Sequence, residues 1–212
     1  WSNDDMPELG GETTLEQCLH EASKAGFSGI EFGGKFPKDS KLLIPKLKKE
    51  KINLCSGWYG AKLLSRSVKD ELTEMEQQLK LFKDCNAPCM VFAEISGSIQ
   101  GDANKPLSRR PILSNDDWKN LINKINEISL IMSDQGMPLA YHHHMGTVIQ
   151  SESDTYKLIE STKDTVKLLI DTGHMLFAGG DYLKITKDLN ERIIHVHCKD
   201  MRKKVLEASI QN

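Results

Sequence analysis

A chain of 212 residues is long enough for one domain with a substantial core, or for most of a larger one. Its 28 basic and 30 acidic residues leave a formal net charge of −2, which argues against a nucleic-acid binder and offers no polybasic stretch to a membrane surface. It contains no apolar run of about eighteen residues and no evident signal peptide. The five cysteines (Cys18, Cys55, Cys85, Cys89, Cys198) are scattered and odd in number, so they read as reduced thiols of a cytoplasmic protein, not as a disulfide framework.

The chain alternates between two periodicities. Residues 14–25 carry Leu15, Cys18, Leu19 and Ala22 on one face, with Thr13 or Thr14 as cap and Gly26 as stop. A short apolar run, 27–32, predicts a strand. Residues 41–51 predict a helix and 52–57 a strand; 68–84 a helix and 89–95 a strand. Cys85 and Cys89 flank Pro88 at that junction, and nothing places them as metal ligands. The stretch 97–113 is long, polar and punctuated by Gly and Pro, and reads as an active-site loop. A helix over 115–135 follows, capped by Ser114 or Asn115 with Asp116 and Asp117 in its first turn, where the helix dipole favours negative charge. Strands at 138–142, 166–171 and 193–198 alternate with helices at 153–162 and 182–189.

Six strands alternating with helices form a βα repeat, hence a parallel sheet. A doubly wound sheet and a closed barrel both fit. No Gly-rich dinucleotide loop follows an early strand. Polar residues end nearly every strand (Glu31, Trp58, Glu94, His142, Asp171, His197), as expected where all strand ends line one site. Both points favour a (β/α)₈ TIM barrel. Such a barrel needs about 250 residues. Residues 1–212 are therefore expected to be a single TIM-barrel domain truncated at both ends, its first and last strands missing. The start at Trp1 and the stop at Asn212 in a charged, helix-like stretch point the same way.

Six of the seven histidines sit at the ends of three successive apolar runs: His142, His143 and His144; then His174 beside Asp171; then His195 and His197. Imidazole is the commonest metal ligand, and a carboxylate completes a site for a divalent cation. Side chains two apart on a strand share a face. His142 and His144 can thus face inward with His143 turned away, and His195 and His197 are rivals on one face. His142, Asp171 and His197 are the candidate ligands. The alternatives are a buried, hydrogen-bonded His142 and an Asp171 that caps the following turn. His143 is expected to be structural, Lys199 and Asp200 to pair at the rim, and Glu31 and Glu94 to be strand-end carboxylates with rim salt bridges as their plainer role.

The segments YHHHMGT, LLIDTGH with FAGGD, and HVHCKDMR resemble the inosose dehydratases, members of the xylose-isomerase-like, metal-dependent TIM barrels. WSNDDMPELGG, GFSGIEFGGKFP and SIQGD fit the same family. The resemblance covers almost the whole chain. It implies a Mn²⁺ or Co²⁺ on His142, Asp171, His197 and a fourth carboxylate, a Glu on a last strand beyond Asn212. It implies that His144 and His174 contact the substrate; since imidazole titrates near neutral pH, they are the acid/base candidates, and Glu31, Trp58, Glu94 and Lys199 are further candidate substrate contacts. The implied reaction is loss of water from a 2-keto-inositol (scyllo-inosose) through an enediolate, in inositol catabolism. The partner would be a small polyol-ketone, with no nucleic acid or membrane; homo-oligomerisation stays open. Rival readings are a sugar or hydroxypyruvate isomerase or epimerase on the same scaffold, a repair endonuclease, which the charge balance does not support, and an inactive truncated remnant.

Overall fold

The computed structural model describes residues 8–102 and 104–210. In chain order these form α1 (Leu15–Lys24), β1 (Gly29–Phe32), α2 (Ser40–Glu50), β2 (Asn53–Ala61), α3 (Val68–Asp84) and β3 (Met90–Glu94). Then come α4 (Asn115–Asp134), β4 (Leu139–His142), α5 (Glu152–Ser161), β5 (Lys167–Asp171), α6 (Thr172–Phe177), α7 (Tyr182–Asp188), β6 (Ile193–His197) and α8 (Lys203–Ile210). Helices α1 to α7 start where a short polar side chain accepts from the first turn: Thr14, Asp39, Ser67, Ser114, Ser151, Asp171 and Asp181. The sequence pattern predicts all six strands. It misses α6, which is too short for a periodic signal, and it ends β2 four residues early. The opening of the segment WSNDDMPELGG lies outside the described residues.

All neighbouring strands are parallel, and their order in the sheet is their order in the chain. A doubly wound sheet reverses its strand order at a switch point; this one never does. It also curls. Six strands spaced about 4.8 Å apart in a flat sheet would hold β1 and β6 about 24 Å apart. Instead Glu31 Oε1 on β1 lies 2.6 Å from His195 Nε2 on β6. The architecture is a TIM barrel built from six of its strands, with β1 and β6 as the unpaired edges among the described residues.

Strand alternation sorts side chains into two layers. Cys89, Val91, Ala140 and Leu169, with Trp58 against them, fill the concave side. The larger apolar cluster, including Leu54, Tyr59, Phe82, Phe92, Leu121, Ile125 and Tyr141, lies between the sheet and the helices. Glu71, fully buried, accepts from the Lys62 amide at 3.0 Å and from the Tyr59 hydroxyl, which ties α3 to the end of β2. No described helix is long and apolar enough to cross a membrane.

The 97–113 connection is pinned across the site end of the sheet. Ile99 N donates to Gly146 O at 3.0 Å. Arg110 donates to the carbonyls of Thr147 (3.2 Å) and Val148 (3.0 Å) and pairs with Asp154 at 2.7 Å. A Cβ on Gly146 would meet Gln100 N at 2.8 Å, so the two loops touch only because that residue is glycine. Arg110→Met removes three charge-assisted donors and should lower unfolding free energy by about 2 kcal/mol in a denaturant titration. Arg110→Lys should recover only part of this, because an ammonium cannot reproduce the fork.

Candidate active site

His142 ends β4, Asp171 ends β5 and His197 ends β6, and the ladder sets Asp171 level with His197. Asp171 is fully buried. Its Oδ1 accepts from His174 N at 2.9 Å, so the carboxylate caps α6. Its Oδ2 meets His142 Nε2 at 3.3 Å, His197 Nδ1 at 3.4 Å, His174 Nε2 at 3.6 Å and the Lys199 ammonium. Burial opposes its charge, but the His142 and His197 hydrogen bonds, the His174 ring and Lys199 hold its carboxyl far below the usual range. The Asp171 amide donates to His143 Nε2 at 3.2 Å. His143 is therefore a buried bracket for the Asp171 backbone.

One ligand atom each from His142, Asp171 and His197 lies within 4.8 Å of the others. Two imidazoles and a carboxylate form a donor set suited to a first-row divalent cation. Burial pushes His142 well below its ordinary value, past the pull of Asp171, so its ring is neutral and can ligate. The three residues fit a metal. The fourth carboxylate expected beyond Asn212 lies outside the described residues.

Beside these donors stands a second group. The rings of His144 and His174 are 4.0 Å apart, and each is close to His142, at 5.1 and 5.3 Å. Trp58 meets His142 at 5.5 Å and His144 at 5.2 Å, both edge-on. His144 Nδ1 lies 2.9 Å from Met145 O. Only an N–H can meet a carbonyl oxygen, so the neutral ring keeps its lone pair on Nε2. Burial, then the neighbouring His144, pushes His174 down to about 3, and burial takes His143 to about 4.

Two placements, those of Glu94 and Lys199, depart from the sequence reading. Glu94 was expected to touch substrate, but strand alternation turns it to the side opposite Val91, away from the interior. There it is fully buried, accepting from Leu63 N at 2.6 Å and Ser96 N at 2.7 Å. Lys199 pairs with Asp171, not with Asp200, whose Oδ1 accepts from Met201 N instead. Thr172 Oγ1 clasps Lys199 from both sides, accepting from its amide at 2.9 Å and donating to its carbonyl at 2.5 Å. A Cβ on Gly173 would meet Lys199 Cβ at 2.6 Å; the TGH glycine was the available signal for this approach. Glu31 faces two imidazoles, His195 Nε2 at 2.6 Å and His197 Nε2 at 3.0 Å. Burial opposes the Glu31 charge, but those hydrogen bonds bring it down to about 2. Burial likewise opposes the His197 charge, but Asp171 and Glu31 outweigh it and raise the ring to about 9.

The chain belongs to the xylose isomerase-like TIM barrel family, whose pattern matches residues 19–208. Within that family its curated relatives include inosose dehydratases. It is 39% identical over 204 residues to the inosose dehydratase of Geobacillus thermodenitrificans, covering 95% of this chain and 68% of that protein. It is 40% identical over 209 residues to the rhizopine catabolism protein MocC of Rhizobium meliloti, covering 99% of this chain and 64% of the relative. The chain thus spans about two thirds of the length of these relatives. Among solved structures, the IolI protein with a bound zinc atom superposes with a TM-score of 0.71 at 16% identity, over 90% of this chain and 69% of that one. That likeness shows the fold.

The His197 shift has a sign that can be checked. A raised imidazole contributes stability that is fully present below its unfolded value of about 6.5 and is lost as pH rises through about 9. In chelator-treated protein the unfolding midpoint should fall between about pH 7 and about pH 10 more steeply than in His197→Gln. Equal slopes would remove His197 as the cause.

Proposed function

We propose that this chain is the catalytic barrel of an inosose dehydratase, a hydro-lyase that takes water from a 2-keto-inositol in inositol catabolism. One observation carries the reading. The three donors His142, Asp171 and His197 converge beside a pair of histidines in ring contact, His144 and His174. The curated relatives named inosose dehydratase support the substrate. The IolI structure with its zinc atom supports a metal in this fold, and we assign Mn²⁺ or Co²⁺. Five free thiols suit a cytoplasmic protein acting as a single barrel domain.

A divalent cation on the three donors would supply Lewis-acid polarisation of the ketone oxygen. The remaining steps belong to side chains. His144 Nε2, with its lone pair directed by the Nδ1 bond to Met145 O, takes the proton from the carbon next to the ketone. His174 starts neutral. The imidazole pair then returns a proton to the departing β-hydroxyl as its C–O bond breaks. One water leaves, and both rings end as they began. Trp58 forms an apolar wall over His142 and His144, and the Lys199 ammonium, once released from Asp171, would bind a substrate hydroxyl.

The test is incubation with scyllo-inosose and Mn²⁺ or Co²⁺, with products read by mass. A product lighter by one water is expected; a product of unchanged mass would replace the dehydratase with an isomerase. His174→Ala should lower turnover by about 10²–10⁴-fold, and a fall of less than about threefold would remove it from the acid/base role. Asp171→Asn is the cleaner metal probe. Asparagine caps a helix as well as aspartate, so slow hydrogen exchange at the His174 amide should persist while isothermal titration records the loss of Mn²⁺ binding.

A further inference from the structure

We propose that Glu31 is the positioning residue of the site: it holds His197 in the one tautomer and orientation that present Nδ1 to the cation. This rests on the metal reading above. The two nitrogens of His197 face opposite ways. Nδ1 lies 3.4 Å from Asp171 Oδ2, among the donors. Nε2 lies 3.0 and 3.1 Å from the two oxygens of Glu31. A neutral imidazole carries one proton. If Nδ1 gives its lone pair to a cation, the proton sits on Nε2 and needs an acceptor. A carboxylate offers only acceptors, and both Glu31 oxygens lie within reach. A carboxylate–histidine–metal relay of this kind fixes the ring and strengthens the ligand.

Two further observations point the same way. The β1–β2 ladder shifts register between Ile30 and Glu31, and such irregularities re-aim a side chain at barrel rims. The β5–β6 ladder also shifts, between Leu168 and Leu169, just where it pairs with His195. His195 Nε2 approaches the same Glu31 Oε1 at 2.6 Å. Two imidazole donors two residues apart thus grip one carboxylate, and its rotation is restricted. The same geometry separates the rivals on β6. His195 has Glu31 as its partner, while His197 spans Glu31 and Asp171, so His197 is the ligand and His195 the brace.

Glu31, His195 and His197 could themselves surround a cation, since their ligand atoms lie within 4.8 Å of one another. With the first site also filled, that arrangement would require His197 to bind metal through both nitrogens as an imidazolate, with no proton left. A Glu31 that accepts Nε2–H leaves the ring an ordinary neutral ligand.

The test is a Co²⁺ titration followed by visible absorption, which reports affinity, stoichiometry and ligand geometry without any turnover. Glu31→Gln keeps the size and removes the charge. It should weaken Co²⁺ binding by about 10–100-fold and change the Co²⁺ spectrum, and Glu31→Asp should recover part of both. His195→Gln should have a smaller effect than Glu31→Gln. Each variant is titrated below its own unfolding midpoint, so a loss of stability from the β1–β6 contact reads separately from a loss of affinity. Wild-type affinity and spectrum in Glu31→Gln would overturn the proposal and leave the metal reading standing. No Co²⁺ bound by the wild type would overturn both. Two equivalents in the wild type and one in Glu31→Gln would make Glu31 a ligand of its own cation and overturn the positioning role.

Discussion

The site depends on one buried carboxylate. Asp171 has no exposed surface, and a bare carboxylate in such a place costs many kcal/mol in solvation. The structure offsets this from every direction. One oxygen caps α6 through the His174 amide, the other faces three imidazoles and an ammonium, and its own amide rests on His143. Because His174 is the third residue of the helix that Asp171 caps, the cap also fixes where the His174 side chain begins. Removing the whole side chain would therefore release a helix start, a histidine and a lysine together.

What brings those partners to Asp171 is the curl of the sheet. Parallel strands in sequential order put their carboxyl ends on one rim, and period-2 alternation turns every second side chain inward. His195 and His197 both qualify, and Ile194 and Val196 turn out, with 39% and 49% of their surface exposed. The interior beneath is small: Cys89, Val91, Ala140 and Leu169. Bulk there would hold the strands apart. Instead a glutamate on the first described strand reaches histidines on the last, 164 and 166 residues away.

Much of this was legible in the sequence, for reasons that are local. His142, Asp171 and His197 each end an apolar run, and a polar residue in that position must find a partner or a ligand. Glu94 ends an equally apolar run, yet it faces the helices. Whether a strand's last residue points in or out depends on register, and one residue of slip inverts it. Lys199 looked like the partner of adjacent Asp200 because sequence neighbours are visible and the approach of the β5 end to residue 199 is not. The contact of Glu31 with His195 and His197 leaves no trace in periodicity, since it forms only when the sheet closes on itself.

Charge balance at the rim sets the terms on which a metal can join. Glu31 is pulled down to about 2 and Asp171 lower still, so both carry a full negative charge at neutral pH. Against them stand a His197 raised to about 9 and the ammonium of Lys199, while His142, His143 and His174 are held neutral by burial. Two negative charges therefore face two positive ones within a few ångströms. A divalent cation on His142, Asp171 and His197 adds two more, and at this separation in a poorly screened site the repulsion is large. It is relieved if His197 sheds its Nδ1 proton and Lys199 swings from Asp171 toward solvent or substrate, which its half-exposed side chain allows. Glu31 then becomes the charge that keeps the His197 ring in place, and Lys199 becomes a cation free to meet a hydroxyl. The groups that neutralise Asp171 are thus the groups that metal binding would turn toward chemistry.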